Sequence, residues 1–239
     1  MKKILLTIII ISIFNKGVQA QDDGAAAALA GAFAIGSAIA AVELAKEIAE
    51  QQAMEFVLTK RPDLNHFELK TDSFTGVKGK DLSTVSFLTF TIRDFKNLKR
   101  YMLYGFRQSG FSNSQGLDYS NIEWKMFDVE EWNTMMSAYV ELASGIKLSP
   151  LDITNVKIVN KGVKQNGKFI VSFDKQNGDE YKVLDYSEDF KLVYNERSLG
   201  LFLKSIGGDD EFVGRNKSSL VQVRRKIIIS SHEFLNLKK

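Results

Sequence analysis

The chain has 239 residues, 44% of them hydrophobic, with 32 basic against 29 acidic residues and no cysteine. Such a length and composition fit one large domain or a domain with an appendage, and the lack of cysteine excludes disulfides, thiolate metal sites and a lipid carried on an N-terminal cysteine. The net charge of +3 equals the charge of Lys2, Lys3 and Lys16; the rest of the chain is balanced, without the basic excess that an electrostatic nucleic-acid binder needs.

Those three lysines belong to the first recognisable segment. Met1-Lys2-Lys3 precedes the apolar run Ile4 to Phe14, and Val18 and Ala20 stand at the −3 and −1 positions of a cleavage site after Ala20. This is the pattern of a secretory signal, and the run is shorter than the ~20 residues that span a bilayer. Residues 1–20 are therefore expected to be a signal peptide, and the protein to be exported to the periplasm, in association with the outer membrane.

Residues 21–61 read as one helical arm. From Ala25 to Val42 there is no charge, and thirteen of the eighteen residues are Ala, Gly or Ser. Alanine is the best helix former, Asp22 and Asp23 complement the dipole at the start, and Pro62 lies just past the end. After Glu43 the arm turns amphipathic, with Leu44, Ile48 and Phe56 set against polar neighbours. Before Val42 it is apolar all round, a property of helices buried in protein or membrane. Ala28, Gly31, Gly36, Ser37 and Ala40 permit close backbone approach, as in tightly packed helix interfaces.

Residues 62–239 are expected to form a mixed α+β domain, with an antiparallel meander and about three further helices. Val85 to Arg93 is rich in β-branched and aromatic residues and predicts a strand. Asp94 is placed to cap a helix carrying Phe95, Leu98, Met102 and Phe106, closed by Gly110. Ile122 to Phe127 predicts a strand, and Asp128 a helix with Trp132, Met135, Met136, Tyr139 and Leu142, ending at Gly145. The tetrapeptide Lys-Gln-Asn-Gly occurs at 164–167 and again at 175–178. Asn-Gly favours tight hairpin turns, so three antiparallel strands are expected between 153 and 186. Asn195 or Ser198 is placed to open a helix with Leu199, Leu201, Phe202 and Ile206. Leu220 to Ile229 predicts a last strand, on which Arg225 blocks edge pairing.

Catalytic chemistry finds little support. Gly207-Gly208-Asp209-Asp210-Glu211-Phe212 is similar to a diguanylate cyclase signature but has one Asp too many; a helix cap and acidic loop explain it better, and that loop lacks calcium-loop spacing. His66 and His232 belong to no metal or hydrolase motif and read as surface histidines. Glu130-Glu131 and Glu188-Asp189 read as helix-start carboxylates. Trp124, Trp132, Tyr119 and Phe127 read as core. No catalytic residue, cofactor or metal ligand is assigned.

The Ala-rich arm is the feature that a packed domain does not require. Three readings remain open: a helix that docks into or plugs an envelope protein complex, a membrane-inserting anchor or pore former meeting lipid through 25–42, and a core helix of an enzyme with an unrecognised site. A signal ending Val18-Gln19-Ala20, no lipid-bearing cysteine, this chain size and an Ala/Gly helix beside a folded body resemble the periplasmic plug of the type 9 secretion machinery. That resemblance implies a non-enzymatic role, closing an outer-membrane channel until a client displaces the plug. The expected partner contacts are Leu29, Gly31, Phe33, Ile35, Gly36 and Ile39, with no nucleic acid as partner.

Overall fold

The computed structural model describes residues 35–74, 86–107, 112–113, 116–117, 122–173, 181–188, 190–196, 198–203 and 222–236. The expected signal peptide, Leu29, Gly31, Phe33, Tyr119, the second Lys-Gln-Asn-Gly turn and the 207–212 loop lie outside these residues. The chain divides into two units, 1–41 and 42–239.

The described body is predominantly antiparallel β with few helices, not the α+β arrangement expected from sequence. Helix α1 (Ile35–Lys60) is followed by β1 (Phe67–Phe74), β2 (Ser86–Asp94), β3 (Arg100–Arg107), the two-residue strands β4 (Ser112–Asn113) and β5 (Gly116–Leu117), and β6 (Glu123–Phe127). Then come α2 (Val129–Ser144), the single turn α3 (Pro150–Ile153), β7 (Lys157–Val159), β8 (Gly162–Gln165) and β9 (Lys168–Ser172). The chain continues through β10 (Lys182–Asp185), β11 (Phe190–Asn195), β12 (Ser198–Leu203), β13 (Gln222–Val223) and α4 (Arg225–Asn236). The strands form sheets ordered β1-β2-β3-β6, β7-β8-β9 and β10-β11-β12-β13, with β4-β5 a small pair.

Three corrections explain the shift toward β. The helix expected from Asp94 through Phe106 is a turn at 95–97 followed by β3, which pairs with β2 from Arg100 opposite Arg93 to Arg107 opposite Ser86. The helix expected after Asn195 is a hairpin in which Asn195 pairs with Ser198. The strand expected over 220–229 gives only Gln222–Val223, and the chain then turns helical at Arg225. Isoleucines 227 to 229 favour a strand locally, but Ile227, Ile228, Ser231, Phe234 and Leu235 recur at helical spacing and are all buried.

The first sheet separates two cores. On β3, Tyr101 and Leu103 face one cluster, while Met102, Tyr104 and Phe106 face the other, the period-2 alternation of a strand. One cluster joins this sheet to α1 through Ala49, Ala53, Val57 and Leu64. The other joins it to Trp132, Met135, Met136 and Tyr139 of α2, Ile227, Ile228 and Phe234 of α4, and inner residues of the remaining sheets. The buried face of α1 is thus built on small residues four apart, and Leu44, expected on that face, is 43% exposed.

Local sequence explains the elements that were foreseen. Asp128 caps α2, its carboxylate accepting from the Glu131 amide at 2.8 Å, and Gly145 ends it in the left-handed conformation. Asn166 and Gly167 adopt φ of 50° and 77° between β8 and β9, the geometry of the hairpin turn that Asn-Gly favours.

Candidate functional site

Three features bear on function: the stem of α1, a polar seam along α4, and the turn between β2 and β3. Of the expected contact residues, Ile35, Gly36 and Ile39 lie on the first turns of α1. Further along, α1 is fastened to the sheet by Ala49, Ala53 and Val57, by a hydrogen bond from the Thr71 hydroxyl to the Glu50 carboxylate, and by Phe56 stacked at 6.0 Å on Trp124. At its end, Arg61 forms a bidentate pair with Asp63 at 2.8 and 2.7 Å, and donates to the Tyr101 hydroxyl at 3.2 Å. The guanidinium holds the Asp63 carboxyl below its ordinary range.

The α4 seam contains the group that sequence placed wrongly. His232 is buried, not a surface histidine. The indole N–H of Trp132 donates to its Nδ1 at 3.2 Å, which leaves the proton on Nε2, 3.2 Å from the Val156 carbonyl. Burial pushes the His232 pKa down, with its hydrogen bond to Val156 opposing the shift, so the ring is neutral with both nitrogens engaged. The adjacent Ser231 hydroxyl instead shares a 2.6 Å hydrogen bond with Tyr104, whose own pKa burial raises. Asn133 and Asn236 exchange amide hydrogen bonds at 3.0 Å. Ser231 and His232 therefore do not form a nucleophile and base: the hydroxyl and the ring point into separate partnerships that join α4 to β3 and α2. The partners lie about a hundred residues or more upstream, a relation that no local sequence signal carries.

The β2–β3 turn is closed by the Asp94 amide donating to the Lys99 carbonyl at 2.9 Å. The Asp94 carboxylate, expected to cap a helix, turns inward and accepts from the Lys96 amide at 2.9 Å and the Asn97 side chain at 2.7 Å. Such side-chain turns are a common use of Asp. The tip leaves Phe95 48% and Leu98 59% exposed, with Lys96, Asn97 and Lys99 exposed around them. Leu98 has φ of 55°, a left-handed conformation that costs a residue with a Cβ about 1–2 kcal/mol. Beside it runs a shallow groove of about 360 Å³, lined by Leu98, Lys99, Arg100 and Tyr101 with Asp128, Val129 and Glu130 of the α2 start, and Leu235.

Trp132 and Phe127 are core and Trp124 is half-buried against the sheet, while His66 is exposed beside Phe95. Glu130 and Glu131 do sit in the first turn of α2; Glu188 instead lies in the bend between β10 and β11. Arg225 is not an edge-strand charge: it opens α4, donates to the Asn160 carbonyl at 2.5 Å and stacks 4.1 Å from the Phe173 ring centre. Among the described residues no cluster of three or more metal-ligating side chains occurs, and no helix is long and apolar enough to cross a membrane. No family model matches the chain, and no similar curated protein or solved structure is found.

Proposed function

We propose that this is a non-enzymatic protein of the cell envelope whose Ala/Gly-rich helical segment, residues 25–42, packs into a larger envelope protein assembly such as an outer-membrane secretion channel. The observation that supports this reading is how α1 is used. The first sheet packs on α1 through Ile48, Ala49, Ala53, Phe56 and Val57, and the chain divides into its two units between Ala41 and Val42, within the Ala/Gly-rich segment. Residues 25–42 carry no charge, and thirteen of the eighteen are Ala, Gly or Ser. Small residues of this kind allow backbone-to-backbone approach inside a confined protein cavity, where dispersion contacts replace the apolar area that alanine lacks. Export by a signal peptide at 1–20 supplies the compartment.

The test is purification of the tagged protein from its native envelope in mild detergent, beside a form lacking residues 21–42 and a Gly31→Leu, Gly36→Leu form. A membrane-protein partner recovered with the full form and lost from both variants is the expected result. Equal recovery of the same partner with all three would refute the docking role.

A further inference from the structure

We propose that the β2–β3 tip, Phe95 to Lys99, is a lipid-contacting loop that inserts Phe95 and Leu98 into the interface of an anionic bilayer while Lys96 and Lys99 meet its headgroup phosphates. Three independent observations converge on this short segment. The first is apolar exposure: the two large side chains of one hairpin tip are each about half exposed, Phe95 at 48% and Leu98 at 59%. The second is charge. At the tip Lys96 and Lys99 are exposed, whereas Arg93 and Arg100 lie behind it over the Phe234 ring of α4, and the Asp94 carboxylate is buried and turned onto the Lys96 amide and Asn97 side chain. Nearby Asp63 is paired with Arg61. The tip itself therefore presents two apolar side chains and two lysines, complementary to an acyl layer beneath anionic headgroups, with Asp128 and Glu130 of α2 across the groove beside Leu98.

The third observation is the backbone of Leu98. At φ of 55° a glycine or asparagine would sit without strain. Asn97, whose side chain is suited to that conformation, stands one position earlier and is used instead to bond Asp94. A strained, exposed leucine is of no benefit to the core, since it packs in neither cluster. It is accounted for if its side chain is needed outside the protein. Strain of this kind is characteristic of functional loops. The turn is also held in shape before any contact, by the Asp94–Lys99 backbone bond and the Phe95 amide donating to the His66 carbonyl at 3.0 Å, so little ordering is required on binding.

The experiment is flotation of the full mature protein with vesicles of phosphatidylcholine, with and without phosphatidylglycerol. It is run for the native chain, for Phe95→Ser with Leu98→Asn, for Lys96→Gln with Lys99→Gln, and for each of these lacking residues 21–42. Binding to the anionic vesicles alone is expected, weakened by added salt. The lysine pair should contribute about 25-fold, since each cation near such a surface is worth about fivefold, and loss of both apolar side chains should reduce binding by roughly tenfold or more. Leu98→Asn removes the backbone strain, so the apolar variant should melt no lower than the native chain, which separates lost binding from lost folding. No binding by the native chain, or binding unchanged by the tip substitutions, overturns the proposal. Binding that survives at the tip variants and disappears on removing 21–42 also overturns it, assigning the lipid contact to the Ala/Gly segment instead.

Discussion

Gly105 offers the sharpest test of how α1 is held. It lies in the middle of β3 directly opposite Trp124 of β6. A Cβ built on Gly105 would stand 2.6 Å from Cζ3 and 2.9 Å from Cε3 of that indole, and 3.0 Å from Cγ2 of Ile122. These distances are inside the van der Waals contact of carbon, so the ring must move. It has little room: Trp124 packs on Phe56 and Phe90 at 6.0 Å each, and Phe56 belongs to α1. Inserting a methyl into such a site costs about 1–3 kcal/mol, and the lost aromatic contacts contribute about 0.5–1.5 kcal/mol each within that sum. Reduced backbone freedom of the unfolded chain offsets about 0.4–1 kcal/mol. Gly105→Ala should therefore destabilise by about 1–2 kcal/mol, a fall of about 2–4 °C in melting temperature per kcal/mol for a protein of this size. The chain has two tryptophans, so in a Trp132→Phe background the emission reports Trp124 alone and should shift to the red as the ring is pushed out. The decisive control is the same substitution in a Trp124→Ala background, where most of the cost should vanish, leaving only the 3.0 Å contact with Ile122. A cost that persists there undiminished would show that the indole is not the obstacle, and the steric reasoning would be wrong.

Further predictions follow from single residues. Gly162 has φ of 145°, and a Cβ there would lie 1.9 Å from the Val171 carbonyl oxygen. Because the obstacle is backbone, Gly162→Ala should cost about 3 kcal/mol or more, read as a lowered urea midpoint; a loss under about 1 kcal/mol would contradict the hairpin geometry. The Tyr139 hydroxyl is buried and finds no hydrogen-bond partner, so Tyr139→Phe should stabilise by about 1 kcal/mol, and a destabilised variant would reveal a partner. For His232, the folded-state pKa lies below the ordinary 6.5, so the unfolded state takes up its proton first as pH falls. Its contribution is complete above about pH 6.5 and declines as pH drops toward the lowered value. Denaturation between about pH 7 and pH 5 should show a steeper loss for the native protein than for His232→Gln, and parallel profiles would refute a buried neutral ring. Leu98→Asn should raise stability by up to about 1 kcal/mol through relief of its positive φ; a lower melting temperature would count against strain at that turn.

Elements governed by neighbouring residues were legible in the sequence. The α2 helix between Asp128 and Gly145 needs only its cap, its apolar spacing and its stop, and the Asn166-Gly167 turn only its two residues. What failed was governed by partners far along the chain. Residues Tyr101 to Phe106 are buried on both faces of the first sheet, so they show no alternation, and a continuous apolar run does not distinguish strand from helix. Asp94 added a false cap signal that tertiary structure converts into a turn. At the other end, three isoleucines favoured a strand and His232 read as a surface histidine. Ser231 and His232 become helix and core because Tyr104 and Trp132 satisfy them. The β2–β3 tip was missed for the same reason, since Phe95 and Leu98 were assigned to the apolar stripe of a helix that does not form.

The position of α4 in the chain has a consequence for the order of folding. Its bonds reach back 100 positions to Trp132, 127 to Tyr104, 134 to Arg100 and 158 to Asp72, and its apolar face completes the larger core. While the chain is being synthesised, the Tyr104 and Trp132 side chains cannot make these hydrogen bonds until α4 has left the ribosome. Contacts this distant in sequence also form slowly, because each must close a large loop before it is rewarded. The larger core thus closes only when segments more than a hundred positions apart have met.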